Sequence, residues 1–118
     1  MIDSTISVEE HGDVVVVRPL QSKVTGSKNE ESLMGRLRDL IEGDDCAKLV
    51  LNLSQVQFLG SSALNQLVVL DKRVKQKGGE WKICSPRREV SEILNITRLD
   101  SLFSIAETQE AALAAMQA

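Results

Sequence analysis

An α/β fold with a mixed, largely parallel sheet is predicted for this 118-residue chain, and three observations predict it. Two β-rich runs at the start are split by a turn cluster. A nearly continuous apolar run lies mid-chain. After that run, strand-like segments alternate with segments of helical period, the pattern of strand–helix–strand units joined by right-handed crossovers.

The opening runs are Ile6 with Val8 and then Val14-Val15-Val16-Val17, and Glu10-His11-Gly12-Asp13 between them suits a reversing turn. They read as an antiparallel hairpin. A polar loop is expected after Pro19. From Ser27, the spacing Leu33, Met34, Leu37, Leu40, Ile41 follows one helix face, with Ser27 and Glu30 as a capping box and Gly43 as the stop. Lys48-Leu49-Val50-Leu51-Asn52-Leu53 suits a central strand covered on both faces. A second helix runs from Ser61 or Ser62 to Lys77, with Leu64, Leu67, Val68 and Val74 as its periodic apolar residues. Lys72, Arg73, Lys75 and Lys77 lie near its negative dipole end, and Gly78-Gly79 stands beyond. Trp81, Ile83 and Cys84 form a short strand, and Ser85-Pro86 supplies a cap and first-turn proline for a helix carrying Val90, Ile93 and Leu94. Leu102, Phe103 and Ile105 suggest one more strand. Thr108 caps a last, alanine-rich helix that packs through Leu113 and Met116.

At this length the chain is expected to form one domain spanning residues 1–118. A hydrophobic content of 42% is ordinary for a globular protein, and no run approaches the roughly 18 apolar residues that span a bilayer. The polar start Met1-Ile2-Asp3-Ser4-Thr5 does not read as a secretory signal, so a cytoplasmic location is expected. A net charge of −3 argues against nucleic acid as a partner. Cys46 and Cys84 belong to no paired spacing and read as ordinary thiols.

The segment richest in chemistry is Phe58-Leu59-Gly60-Ser61-Ser62-Ala63-Leu64, where a strand-and-loop passage enters a helix with two adjacent hydroxyls at the join. A helix N-terminus offers unpaired N–H groups and partial positive charge, which suits a phosphate on Ser61 or Ser62. Simple N-capping by a serine accounts for the same residues. His11 has no second ligand and no metal site is expected. A hydrolase triad drawn from His11 with Ser54 or Ser61 lacks a Gly-x-Ser-x-Gly elbow, and no phosphate-cradling glycine pattern is present. No catalytic residue, enzyme activity or cofactor is therefore assigned. The basic residues Lys72, Arg73, Lys75, Lys77, Arg87 and Arg88 fit a solvated helix end or a contact with an acidic partner.

The order strand, Phe58-Leu59-Gly60-Ser61-Ser62-Ala63-Leu64, long helix, Gly78-Gly79, strand, Pro86, and then Leu94-Asn95-Ile96-Thr97-Arg98-Leu99-Asp100-Ser101-Leu102-Phe103 resembles the STAS family of anti-sigma factor antagonists. The resemblance covers roughly Asp13 to Leu113. It implies a STAS-like fold and a protein that binds an anti-sigma factor that is also a serine kinase, with a phosphatase as a further partner. Members commonly carry Asp-Ser-Ser-Gly or Asp-Ser-Thr-Gly at the loop, with the serine after the aspartate phosphorylated. By position that serine is Ser61, with Ser62 as the second choice. The resemblance places partner contacts at Gly60, Ser61, Ser62 and Asn65. In this chain Gly60 stands where the family has aspartate and Ala63 where it has glycine, and Leu20-Gln21-Ser22-Lys23 lacks the acidic residue often found after the second strand. A second reading keeps the fold but makes the chain a constitutive scaffold, or the small subunit of a lipid-transport complex, without phosphorylation.

Overall fold

The structure, a computed structural model, describes residues 6–24 and 48–117. The helix expected from Ser27 to Gly43 and the thiol of Cys46 lie outside them. Five strands form the main sheet in the order β1 (Ile6–His11), β2 (Val14–Pro19), β4 (Lys48–Asn52), β6 (Glu80–Cys84), β7 (Ile105–Ala106). β1 and β2 pair antiparallel, Val8 opposite Val17 and His11 opposite Val14, around Gly12 at φ 67°. The remaining pairs are parallel, as the strand–helix–strand order requires. Two short segments, β3 (Lys23–Val24) and β5 (Phe58–Leu59), pair with each other in a separate parallel ladder. The helices among the described residues are α1 (Ser61–Gln76), α2 (Arg88–Ile96) and α3 (Gln109–Gln117).

Strand periodicity divides the apolar residues between two layers. Val17, Leu49, Leu51, Trp81 and Ile83 face the larger core, where Leu64, Leu67, Leu70 and Val74 of α1 and Val90 and Leu94 of α2 meet them. Val14, Val16, Val50 and Cys84 face the other way, onto Ala112 and Met116 of α3. β4 is therefore covered on both sides, which its run of consecutive apolar residues requires.

The end of α1 follows directly from Gly78-Gly79. Gly78 takes φ 72° and its N–H donates to Lys75 O, while the Gly79 N–H donates to Val74 O, so the last carbonyls are satisfied by a Schellman arrangement. At α3, Thr108 caps as expected, its Oγ1 accepting the Ala111 N–H at 3.1 Å.

Two boundaries differ from the sequence expectation. Ser85 and Pro86 do not open α2: Ser85 sits at φ 54° with its N–H donating to Ala106 O, and this link to β7 holds it at the sheet. Arg87 is the residue before the helix and Arg88 its first. Leu102 and Phe103 are not strand. The 3-10 turn Leu99–Ser101 draws the N–H groups of both onto Leu99 O, leaving only Ile105–Ala106 to pair with β6. Phe103 turns inward instead and packs edge-on against Trp81, ring centroids 5.2 Å apart.

Candidate functional site

The β3–β5 ladder builds the loop that carries the hydroxyls. Ser22 O accepts the N–H groups of Gln57 (2.6 Å) and Phe58 (3.0 Å), and Val24 O accepts the Gly60 N–H at 2.8 Å. These bonds bring the Leu20–Val24 segment against the strand leading into α1, a pairing that neither two-residue run announces in the sequence. Gly60 takes the N-cap position at φ −76°, ψ 165°, ordinary extended backbone that any residue adopts. Its carbonyl accepts the Leu64 N–H, the first bond of the helix.

Ser61 and Ser62 are thus the first and second residues of α1, one and two positions inside the cap. Neither serine is the cap of α1: that position belongs to Gly60, which has no side chain. Both serines are exposed. The backbone N–H groups of Ser61, Ser62 and Ala63 have no partner within the helix, and no acidic residue occupies its first turn. The end of a 16-residue helix therefore points its positive pole at two accessible hydroxyls, with no carboxylate in its own first turn to offset it.

The departure at position 63 also has a physical basis. Ala63 is buried, its methyl group packed in the larger core among the residues that hold α1 to the sheet. A glycine would leave that space unfilled.

From the loop a ridge runs along the helix. Ser61, Asn65, Val69 and Arg73 recur every four residues, and all four are exposed. Val69, at 45% exposure, is a large apolar residue at the centre of a polar row. Sequence reasoning missed it as a surface residue, although it falls outside the periodic set Leu64, Leu67, Val68 and Val74. Phe58, 44% exposed on β5, is a second apolar residue beside the loop that was missed.

Other residues considered from the sequence fall elsewhere. His11 ends β1, where its Nε2 lies 3.1 Å from Glu9 Oε2. Lys75 pairs with Asp71, Arg87 with Glu89 and Arg88 with Glu92. Lys75, Arg87 and Arg88 therefore form local pairs, the first within α1 and the other two at the start of α2. Cys84 is buried beneath α3, and burial pushes its thiol above the ordinary value of 9.0 while a hydrogen bond with Ser85 acts the other way.

A strand thus leads through a short loop into a helix with exposed serines at its first two positions, on a mixed sheet of five strands. The STAS domain profile matches residues 5–112. The chain belongs to the STAS domain family. An anti-sigma F factor antagonist of Paenibacillus polymyxa is 28% identical over 112 residues, 95% of this chain and 94% of the relative. Among solved structures, an anti-sigma factor antagonist from Mycobacterium paratuberculosis matches with a TM-score of 0.82 and 26% identity over 97% of this chain and 94% of the other. The Bacillus cell fate determinant SpoIIAA, solved in its phosphorylated form, shares the fold at a TM-score of 0.72 and 15% identity over 94% of this chain and 98% of the other. Among the described residues, no helix of this STAS protein is long and apolar enough to cross a membrane.

Proposed function

We propose that this chain is a single STAS unit that works in the cytoplasm as an anti-sigma factor antagonist. It docks through the Gly60–Ser62 loop and the ridge of α1 onto an anti-sigma factor that is also a serine kinase. Phosphorylation of Ser61 ends the contact, and a phosphatase restores it. The observation that carries this reading is the placement of Ser61: an exposed hydroxyl at the first position of a long helix, in a row with Asn65 and Val69.

The physics of the switch follows from that placement. The bare loop offers hydroxyls, an amide and an apolar side chain on rigid elements, a surface suited to specific docking. A phosphoserine adds roughly −1.5 to −2 charges, which the helix N-terminus holds without unfolding and which the partner must then desolvate or repel. The same fold in a phosphorylated neighbour supports the view that a phosphate is compatible with it. Gly60 places no carboxylate beside the phosphate, so the modified state carries less like-charge repulsion than it would with the family's aspartate. No catalytic role is assigned to any residue of the site.

A pull-down from native lysate with wild type and Ser61→Asp as paired baits, with phosphate mapping of the recovered wild-type bait, tests the reading. It predicts a kinase-like anti-sigma factor on wild type alone and phosphate on Ser61. The same prey on both baits and an unmodified loop would instead support the constitutive-subunit reading.

A further inference from the structure

We propose that α3 is a strap that opens separately from the rest of the fold and uncovers the second apolar layer. This goes beyond the switch at Ser61 and rests on how α3 is held. None of the residues of the larger core comes from α3, so that core has no need of it. α3 covers the opposite face through Ala112 and Met116, with Leu113 partly buried beside them. A nine-residue helix is too short to persist in water without packing.

Among the described residues, the hydrogen bonds that anchor it lie at its two ends. At the start, Thr108 caps the helix and Gln109 Oε1 accepts the Asn52 Nδ2–H at 2.8 Å. At the far end, Lys48 Nζ donates to Met116 O at 2.7 Å, and the same ammonium lies 3.3 Å from Asp13 Oδ2 in the hairpin turn. Lys48 thus ties the negative end of α3 to the first residue of β4 and to the β1–β2 turn. Once these ends release, Val14, Val16, Val50 and Cys84 lose their cover while α1 and α2 stay packed on the other face. The elements with the fewest buried contacts open first, well below the free energy of global unfolding.

Cys84 reports the opening, because α3 lies directly over it. The experiment is alkylation of the full chain by iodoacetamide at low urea, with Cys84 quantified by peptide mass spectrometry and global unfolding followed by Trp81 fluorescence. Two variants separate strap from core: Lys48→Met removes the anchor, and Val74→Ala weakens only the larger core. The expected result is a Cys84 rate nearly independent of urea, raised about fivefold to tenfold by Lys48→Met and unchanged by Val74→Ala, although Val74→Ala lowers the urea midpoint. A Cys84 rate that rises in step with global unfolding, or that follows the stability loss of Val74→Ala, would overturn the strap. An unchanged rate in Lys48→Met would overturn the anchor.

Discussion

Replacing Asp71 by alanine strands the indole N–H of Trp81. Asp71 lies on the inner side of α1, its side chain 5% exposed, where Oδ1 accepts the Trp81 Nε1–H at 2.8 Å and Oδ2 pairs with Lys75 Nζ at 2.9 Å. A buried donor left without an acceptor costs about 1–3 kcal/mol. The pair with Lys75 adds little, roughly 0.3–0.5 kcal/mol, because the lysine side chain is 60% exposed. Alanine returns about 0.6 kcal/mol of helix propensity relative to aspartate. The net loss is about 0.7–2.9 kcal/mol, which at a urea slope of about 1–3 kcal/mol/M moves the midpoint down by roughly 1 M. Trp81 is the sole tryptophan, so its fluorescence reads the transition directly. Asp71→Asn keeps an acceptor at Oδ1 and should lose less than half as much. An Asp71→Ala midpoint close to wild type, or an Asn variant as weak as the Ala variant, would refute the account of this contact.

Other consequences are open to measurement. Met116→Ala opens a cavity in the layer under α3 and should cost about 2–5 kcal/mol in chemical denaturation. Ser61→Asp places a carboxylate in a first helical turn that has none and should stabilise the fold by about 0.3–1 kcal/mol, so that any loss of partner capture is not a loss of folding. Gly60→Asp meets an ordinary extended conformation at an N-cap and should be tolerated, with a midpoint equal to wild type or slightly higher. The raised thiol of Cys84 makes its folded-state contribution complete below the unfolded thiol value and lost as pH rises through the folded one. Wild type should therefore lose more stability than Cys84→Ala between pH 8 and about pH 10, a difference read from paired urea titrations.

The main sheet was legible because its signals are local and strong. The hairpin showed in the break at Gly12, β4 in its consecutive apolar residues, and α1 in its period and in Gly78-Gly79. What escaped depended on distant partners. β3 and β5 are two residues each, and they exist only because Ser22 and Val24 meet Gln57 to Gly60 across a long sequence separation. Ser85-Pro86 carried a sound helix-start signal, but the bond to Ala106 held Ser85 at the sheet and moved the start to Arg88. The serines at the loop were visible as hydroxyls at a helix start; that both stand inside the cap, with Gly60 at the cap itself, goes with the bond from the Gly60 N–H to Val24 O. Val69 and Phe58 were given no role from the sequence, and only the packing of α1 and β5 shows that both face outward.

In the proposed switch, the charge on Ser61 decides docking. The most direct measurement is the affinity of the purified kinase-like partner for wild type, Ser61→Ala and Ser61→Asp at fixed ionic strength. The account predicts equal binding by wild type and Ser61→Ala, and at least about tenfold weaker binding by Ser61→Asp, a difference of about 1.4 kcal/mol. Equal affinity for all three chains would contradict it.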